Sequence, residues 1–198
     1  MVDRHKSSGS RRAIIVLAAT GLAGTALTAR AQSRAIDREL LAATAAGDTN
    51  AVRRLIDAGA DVNAQDASKD SAFLLAGALG HTDIVKLALA AGADFKRVNR
   101  YGGTALIPAC HYGHVETVRA LLDTAIDIDH VNNLGWTALL EAIILGDGGP
   151  RHTEIVRLLV QHKAKLDLAD RDGVSPLSHA KRRGQAAIVQ ILSEAGAR

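Results

Sequence analysis

The sequence has a single cysteine, a single methionine and three prolines, and aromatic rings make up only 3% of its residues. Cys110 has no partner for an internal disulfide and lies far from any lipoprotein processing position, so neither a disulfide framework nor a lipid anchor is implied. Scarce rings argue against a sheet sandwich built around large side chains, whereas abundant Ala, Leu, Ile and Val suit small helices packed closely together. An all-α fold is therefore expected, and 198 residues with a 47% apolar fraction are enough for one domain with a real core. There is no H-E-x-x-H string and no cysteine cluster, and His111, His130, His162 and His179 share no metal-ligand spacing. No metal and no cofactor are expected.

Charge of one sign is also lacking once its position is considered. The formal charge is +3 and the pI near 9.2, which would invite a nucleic-acid reading. Residues 1–31, however, hold Arg4, Lys6, Arg11, Arg12 and Arg30 against Asp3 alone. Removing these from the chain's 24 cations and 21 anions leaves 19 against 20. The basicity belongs to the leader, and nucleic-acid binding is not expected. Residues 1–12 are polar and basic, residues 13–27 are apolar and uncharged, and Ala29-Arg30-Ala31 offers small residues at a cleavage position. This layout predicts a signal peptide over 1–31, cut after Ala31. Its apolar stretch of about 15 residues falls short of the roughly 20 that a spanning helix needs, so no stable membrane insertion is expected after cleavage. Ser10-Arg11-Arg12-Ala13-Ile14-Ile15 resembles the twin-arginine export motif, with the general secretory route as the alternative. Either route predicts a bacterial periplasmic or secreted protein.

A fixed period organises the remainder. Ser71-Ala72-Phe73-Leu74, Thr104-Ala105-Leu106-Ile107 and Thr137-Ala138-Leu139-Leu140 are 33 residues apart, and Ser175-Pro176-Leu177-Ser178 follows 38 later. Gly80-His81, Gly113-His114 and the split pair Gly146 with His152 mark a second position, and Gly59-Ala60-Asp61-Val62-Asn63 and Gly92-Ala93-Asp94-Phe95 a third. Physically each unit reads as a turn and two antiparallel helices. Ser71, Thr104, Thr137 and Ser175 can cap the first helix, and Pro176 fits its first turn. Asp83, Glu116 and Glu154 complement the positive end of the second helix, which then starts beside the histidine. Apolar residues at helical spacing, such as Ile155/Leu158/Leu159, give each unit one stripe that only a neighbouring unit can cover.

These strings resemble the ankyrin-repeat family over about residues 33–198. The resemblance implies a solenoid of about five units within 32–198, at about 33–65, 66–98, 99–131, 132–169 and 170–198. It also implies that His81, His114 and His152 hydrogen-bond the inter-repeat loops. The string from Gly135 to Leu159 is similar to a segment of bacterial, often exported, ankyrin proteins.

Two departures stand out. The glycine that usually ends the second helix is replaced by Ala125 and Lys163, each costing on the order of 1 kcal/mol if the backbone is left-handed there. The fourth repeat carries five extra residues within 146–152, read as a lengthened inter-helix loop or as an anion-binding glycine turn.

By the resemblance, variable turn residues and the exposed side of the first helix point into a concavity. The expected partner-binding residues are Arg100, Tyr101, His111 and Tyr112 from the third repeat and Asn133, Leu134, Trp136 and Glu141 from the fourth, with Arg171 and Asp172 from the fifth. Every Trp and Tyr of the chain falls in this set, and these are side chains that dominate interface energies. The expected function is a monomeric, non-enzymatic module holding a periplasmic protein partner. The alternative is a small hydrolase or small-molecule or anion binder centred on 146–152 with Glu141 and His111, which predicts a closed pocket beside residues 141–152. A cytosolic interaction protein with an uncut leader is the third reading.

Overall fold

Four acidic or amide side chains, spaced like the helix caps, build the first feature of the second to fifth units. The side-chain Oδ1 atoms of Asp66, Asn99, Asn132 and Asp170 each accept two backbone amides, from residues two and four positions on, at 2.8–3.1 Å. Their own backbone amides bond across the turn to Asp70, Gly103, Trp136 and Val174. Asx side chains hold such turns because their oxygen reaches local amides that would otherwise need water. The result is a stiff finger ahead of the first helix in the second to fifth units.

A computed structural model describes the backbone of residues 14–198 and the side chains from Arg30 onward. The elements are α1 (Ile14–Ala45), α2 (Thr49–Asp57), α3 (Ala72–Leu79), α4 (Thr82–Ala90), α5 (Leu106–His111), α6 (Val115–Leu122), α7 (Ala138–Ile144), α8 (Pro150–Gln161), α9 (Pro176–Arg182) and α10 (Ala186–Glu194). Strands are absent among the described residues. The odd-numbered helices pack on one another in one layer, the even-numbered helices in a second, and each hairpin joins the layers. One continuous core runs between them, from Leu40 and Val52 through Phe73, Ile84, Leu106, Leu121, Leu139 and Leu159 to Ile188 and Leu192. The five expected units are thus five helix pairs. The 13 N-terminal residues, with the twin-arginine string up to Ala13, lie outside the described residues, and the expected cut after Ala31 falls within α1. No helix among the described residues is long and apolar enough to cross a membrane.

Capping follows the expectation at three positions and fails at one. Ser71, Thr137 and Ser175 accept amides of Leu74, Leu140 and Ser178 at 3.2–3.3 Å. The Thr104 hydroxyl is buried and makes no hydrogen bond. Pro108 is the cause. In the other units the residue four positions beyond the cap donates to the cap carbonyl, as Glu141 does to Thr137. Pro108 has no amide hydrogen to give, so the Thr104 carbonyl takes the Ile107 amide instead, at 3.3 Å. That is the amide the hydroxyl would have used.

The fourth repeat is also built differently from its reading as a lengthened loop. Pro150 opens α8, so half of the insertion becomes an added turn of helix, and α8 has 12 residues against 8 or 9 in α4 and α6. Glu154 consequently sits beyond the first turn. Instead of facing the helix's positive end it pairs with Arg119 at 3.5 Å and with Arg157.

The second-helix ends separate the two unusual residues. Lys163 does adopt the left-handed conformation, with φ 65°, as Gly92 does with φ 84°. Ala125 does not. There the Thr124 hydroxyl donates to the Leu121 carbonyl at 2.6 Å and accepts the Ile126 amide at 3.2 Å. It supplies through a side chain the closure that Ala93 and Ala164 make through backbone amides to Ala88 and Leu159.

Candidate functional site

The fingers and first helices of repeats two to four enclose an open cleft of about 360 Å³. Asp70 and Leu75 stand at its second-repeat side, and Arg100, Tyr101, His111 and Tyr112 form the third-repeat wall. Leu134, Glu141 and Leu145 close it from the fourth repeat, and Ile107 and Pro108 lie between. Tyr101 and Tyr112 are each 54% exposed, Leu134 49% and Leu145 42%. The Tyr112 ring stacks on His111 at 4.2 Å between centroids, and the Arg100 guanidinium lies 4.8 Å over the Tyr101 ring. Such contacts hold each ring in one orientation while leaving a face uncovered.

Six of the expected partner residues therefore converge: Arg100, Tyr101, His111, Tyr112, Leu134 and Glu141. The other four do not line the cleft. Trp136 is half-buried at the base of its finger, where its backbone amide and carbonyl both bond to Asn132. Asn133 and Arg171 join neighbouring fingers: the Asn133 amide donates to the Tyr101 carbonyl at 2.9 Å, and Arg171 Nη2 to the Asn133 carbonyl at 2.5 Å. Asp172 is exposed in the finger of the fifth repeat.

Glu141 is the one acidic group buried in the cleft, at 5% exposure. Its Oε1 accepts the Asn132 side-chain amide at 2.9 Å. Its Oε2 lies 3.6 Å from His111 Nδ1, beyond hydrogen-bond range. Burial pushes the Glu141 carboxyl above the usual carboxylate range, with the Asn132 hydrogen bond opposing the shift. Burial holds His111 below the usual imidazole range, and the nearby His152 adds to this. Burial thus works against the charged form of His111, and at 3.6 Å its ring makes no hydrogen bond to Glu141. At the other side of the cleft burial and Asp66 raise the Asp70 carboxyl, while Arg100 lowers it.

This open cleft is not the closed pocket that an enzyme centred on 146–152 requires. None of residues 146–152 lines the cleft. The glycine turn is filled by its own acid, because Asp147 Oδ1 accepts the Gly149 amide at 2.8 Å and bonds His152 Nδ1 at 2.7 Å. Those bonds hold the Asp147 carboxyl below the usual range and occupy the place an anion would take. Cys110 is fully buried, and burial pushes its thiol up, away from the thiolate that a nucleophile needs. Among the described residues no group of three or more His, Cys, Asp or Glu could hold a metal ion.

The Gly-His histidines bridge repeats in two of three cases. His114 Nε2 bonds the Ala78 carbonyl at 3.2 Å and His152 Nε2 the His111 carbonyl at 2.8 Å. The His81 ring packs against Gly47. Sequence reasoning missed Gln185, which follows Gly184 in the fifth repeat and donates its amide to the Ile143 carbonyl at 3.0 Å. It also missed Asn132, which holds both the finger and Glu141; the common spacing of Asp66, Asn99, Asn132 and Asp170 was the available signal.

Comparison with known proteins agrees with this architecture. The family profile described as "Ankyrin repeats (3 copies)" matches residues 40–132 and 125–198. The chain is 47% identical over 57 residues to the ankyrin repeat protein YahD of Escherichia coli strain K12, a match covering 29% of this chain and 28% of that one. An ankyrin repeat domain from Acinetobacter baumannii AYE superposes with TM-score 0.79 at 54% identity, covering 80% of this chain and 81% of the other. The ankyrin repeat protein EF0377 superposes with TM-score 0.76 at 39% identity, covering 78% and 79%. Ankyrin repeats are generic protein-interaction modules and typically not enzymes. With five stacked helix pairs and a profile match across most of its length, the chain belongs to the ankyrin-repeat family.

Proposed function

We propose that this chain is an exported, monomeric binding module that holds a periplasmic or secreted protein against the face formed by its fingers and first helices. The observation that carries the reading is the cleft itself. Two half-exposed tyrosines and two exposed leucines gather around an open concavity made by three successive repeats, where aromatic side chains supply large contact area at low conformational cost. The opposite, second-helix side shows charged residues such as Glu116 and Arg119 instead. Export is supported by the leader, whose charge and apolar pattern differ from the rest of the chain.

The test recovers partners from a periplasmic fraction with the wild type and with Tyr101→Ala combined with Tyr112→Ala. A partner retained by the wild type and lost by the double variant is the expected result, and equal recovery by both would remove the proposed face. N-terminal sequencing of protein from that fraction is expected to begin at Gln32. Protein that begins at Met1 and stays in the cytosol would overturn export.

A further inference from the structure

Resting on the protein-binding reading of the cleft, we infer that its partner inserts a lysine side chain whose ammonium seats on Glu141. Arg100 is committed at the rim, stacked over Tyr101 and donating from Nη1 to the Ser68 hydroxyl at 3.3 Å. Its charge also falls on Asp70, across the same wall. No Lys or Arg among the described residues pairs with Glu141. Asn132 takes one of its oxygens, and the His111 ring stands 3.6 Å from the other, beyond hydrogen-bond range.

A carboxylate placed at the floor of a largely apolar cleft without a counter-ion costs stability, because the charged form loses solvation that nothing restores. The fold does not need the charge. A neutral amide at position 141 would still offer Asn132 its acceptor, and the finger would be held equally well. In the fifth repeat the corresponding contact is made by an imidazole, His179, whose Nε2 bonds Asp170 at 2.7 Å. An acid at position 141 is thus a local sacrifice of stability, the pattern that marks binding sites.

The occupant's chemistry follows from the atoms left free. With Oε1 already bonded, Glu141 cannot present two parallel oxygens to a guanidinium fork, which removes the main advantage of arginine. A compact ammonium needs only Oε2. Its four-carbon stem suits the apolar passage past Leu134 and Leu145, and the face of Tyr112 that is not stacked on His111 can add cation–π attraction. A cleft of about 360 Å³ has room for one long side chain and its flanks, at the lower end of the roughly 300–1,000 Å³ typical of ligand sites.

The test pans a displayed library of random peptides on the full chain, then synthesises the strongest binder with its lysine intact, Nε-acetylated or replaced by arginine. Titration calorimetry compares the wild type, Glu141→Gln and Tyr112→Ala. The expected result is a shared lysine among the selected peptides, at least tenfold weaker binding on acetylation and a smaller loss with arginine. Glu141→Gln should remove the difference between the free and acetylated peptides while melting no lower than the wild type. If acetylation weakens binding to the wild type and Glu141→Gln equally, or if the peptides share no lysine, the lysine seat is wrong although the binding face stands. Peptides insensitive to Tyr112→Ala, or a failure to select any, would overturn the face as well. Nα-acetyl-lysine amide binding as tightly as the peptide would assign the cleft to a free amine and overturn the partner lysine.

Discussion

The edge formed by the loops after the second helices and the cleft formed by the fingers use polar groups in opposite ways. Along the edge, side-chain oxygens are engaged in series: Asp37 accepts the Asp61 amide within the first unit, and from one unit to the next Asn63 accepts the Asp94 amide, Asp129 the Lys165 amide and Asp167 the Arg198 amide, all at 2.8 Å. In the cleft a buried carboxylate has one oxygen without a hydrogen bond, and two tyrosines stand half in water. Regular polar rungs stabilise a stack in which each repeat depends on its neighbours. Groups with valence left over mark the side on which another molecule completes the structure.

The contrast is broken most strongly at His152. This side chain is 5% exposed and ties the insertion to the third repeat through both ring nitrogens. His152→Ala should lose about 2–3 kcal/mol, the cost of leaving the His111 carbonyl without its partner and opening space between repeats. Tyr112→Ala, at a half-exposed position, should stay within about 0.5 kcal/mol in the same chemical denaturation. Equal losses from the two variants would erase the distinction between structural and unspent residues.

Glu141→Gln should move in the other direction. The folded-state pKa of Glu141 is raised by burial, so the wild type is favoured below the unfolded carboxylate range and loses stability as pH rises through the folded value. The variant carries no such term. It should be more stable than the wild type at pH 7, by on the order of 1 kcal/mol, and the advantage should vanish in acid once both forms of the chain are neutral at this site. Thermal melts across this pH range measure it, and a variant less stable than the wild type at pH 7 would make Glu141 a structural acid.

Most of this molecule is legible as periodicity, and what is not legible arises where a local substitution changes which hydrogen bond is available. Ser71, Thr137 and Ser175 cap as their spacing implies, but Pro108 withholds one amide and so redirects the bond that Thr104 was expected to make. Gln185 does the work of a histidine because a primary amide can reach a carbonyl equally well. Convergence of Arg100, Tyr101, His111, Tyr112, Leu134 and Glu141 follows from register alone. The separation of Trp136 from that group does not, since half-burial at a finger base depends on packing between units. Pro150 in the insertion was the available sign that α8 would start early.

The edge ladder has one missing rung, which offers a way to sharpen the comparison by repair. Asn63, Asp129 and Asp167 occupy corresponding positions, and the second-unit member of that series is Lys96, which has no acceptor. Lys96→Asn should add the bond to the Asp127 amide and raise stability by about 0.5–1 kcal/mol. An unchanged melting temperature would mean that the Thr124 closure has carried the following loop out of line with its counterparts.

The smallest expected effect is at Lys163, and it tests the backbone of the edge by itself. A lysine held at φ 65° keeps its Cβ against its own carbonyl, a strain that glycine avoids. Glycine also adds freedom to the unfolded chain, which offsets part of the gain. The net rise for Lys163→Gly should be about 0.5 kcal/mol. Ala125→Gly is its control: Thr124 already closes that helix without left-handed backbone, so glycine there relieves nothing and should destabilise slightly. A rise at both positions would mean that the two loops share one conformation after all, and that the threonine closure contributes little to holding Ala125 out of the left-handed region.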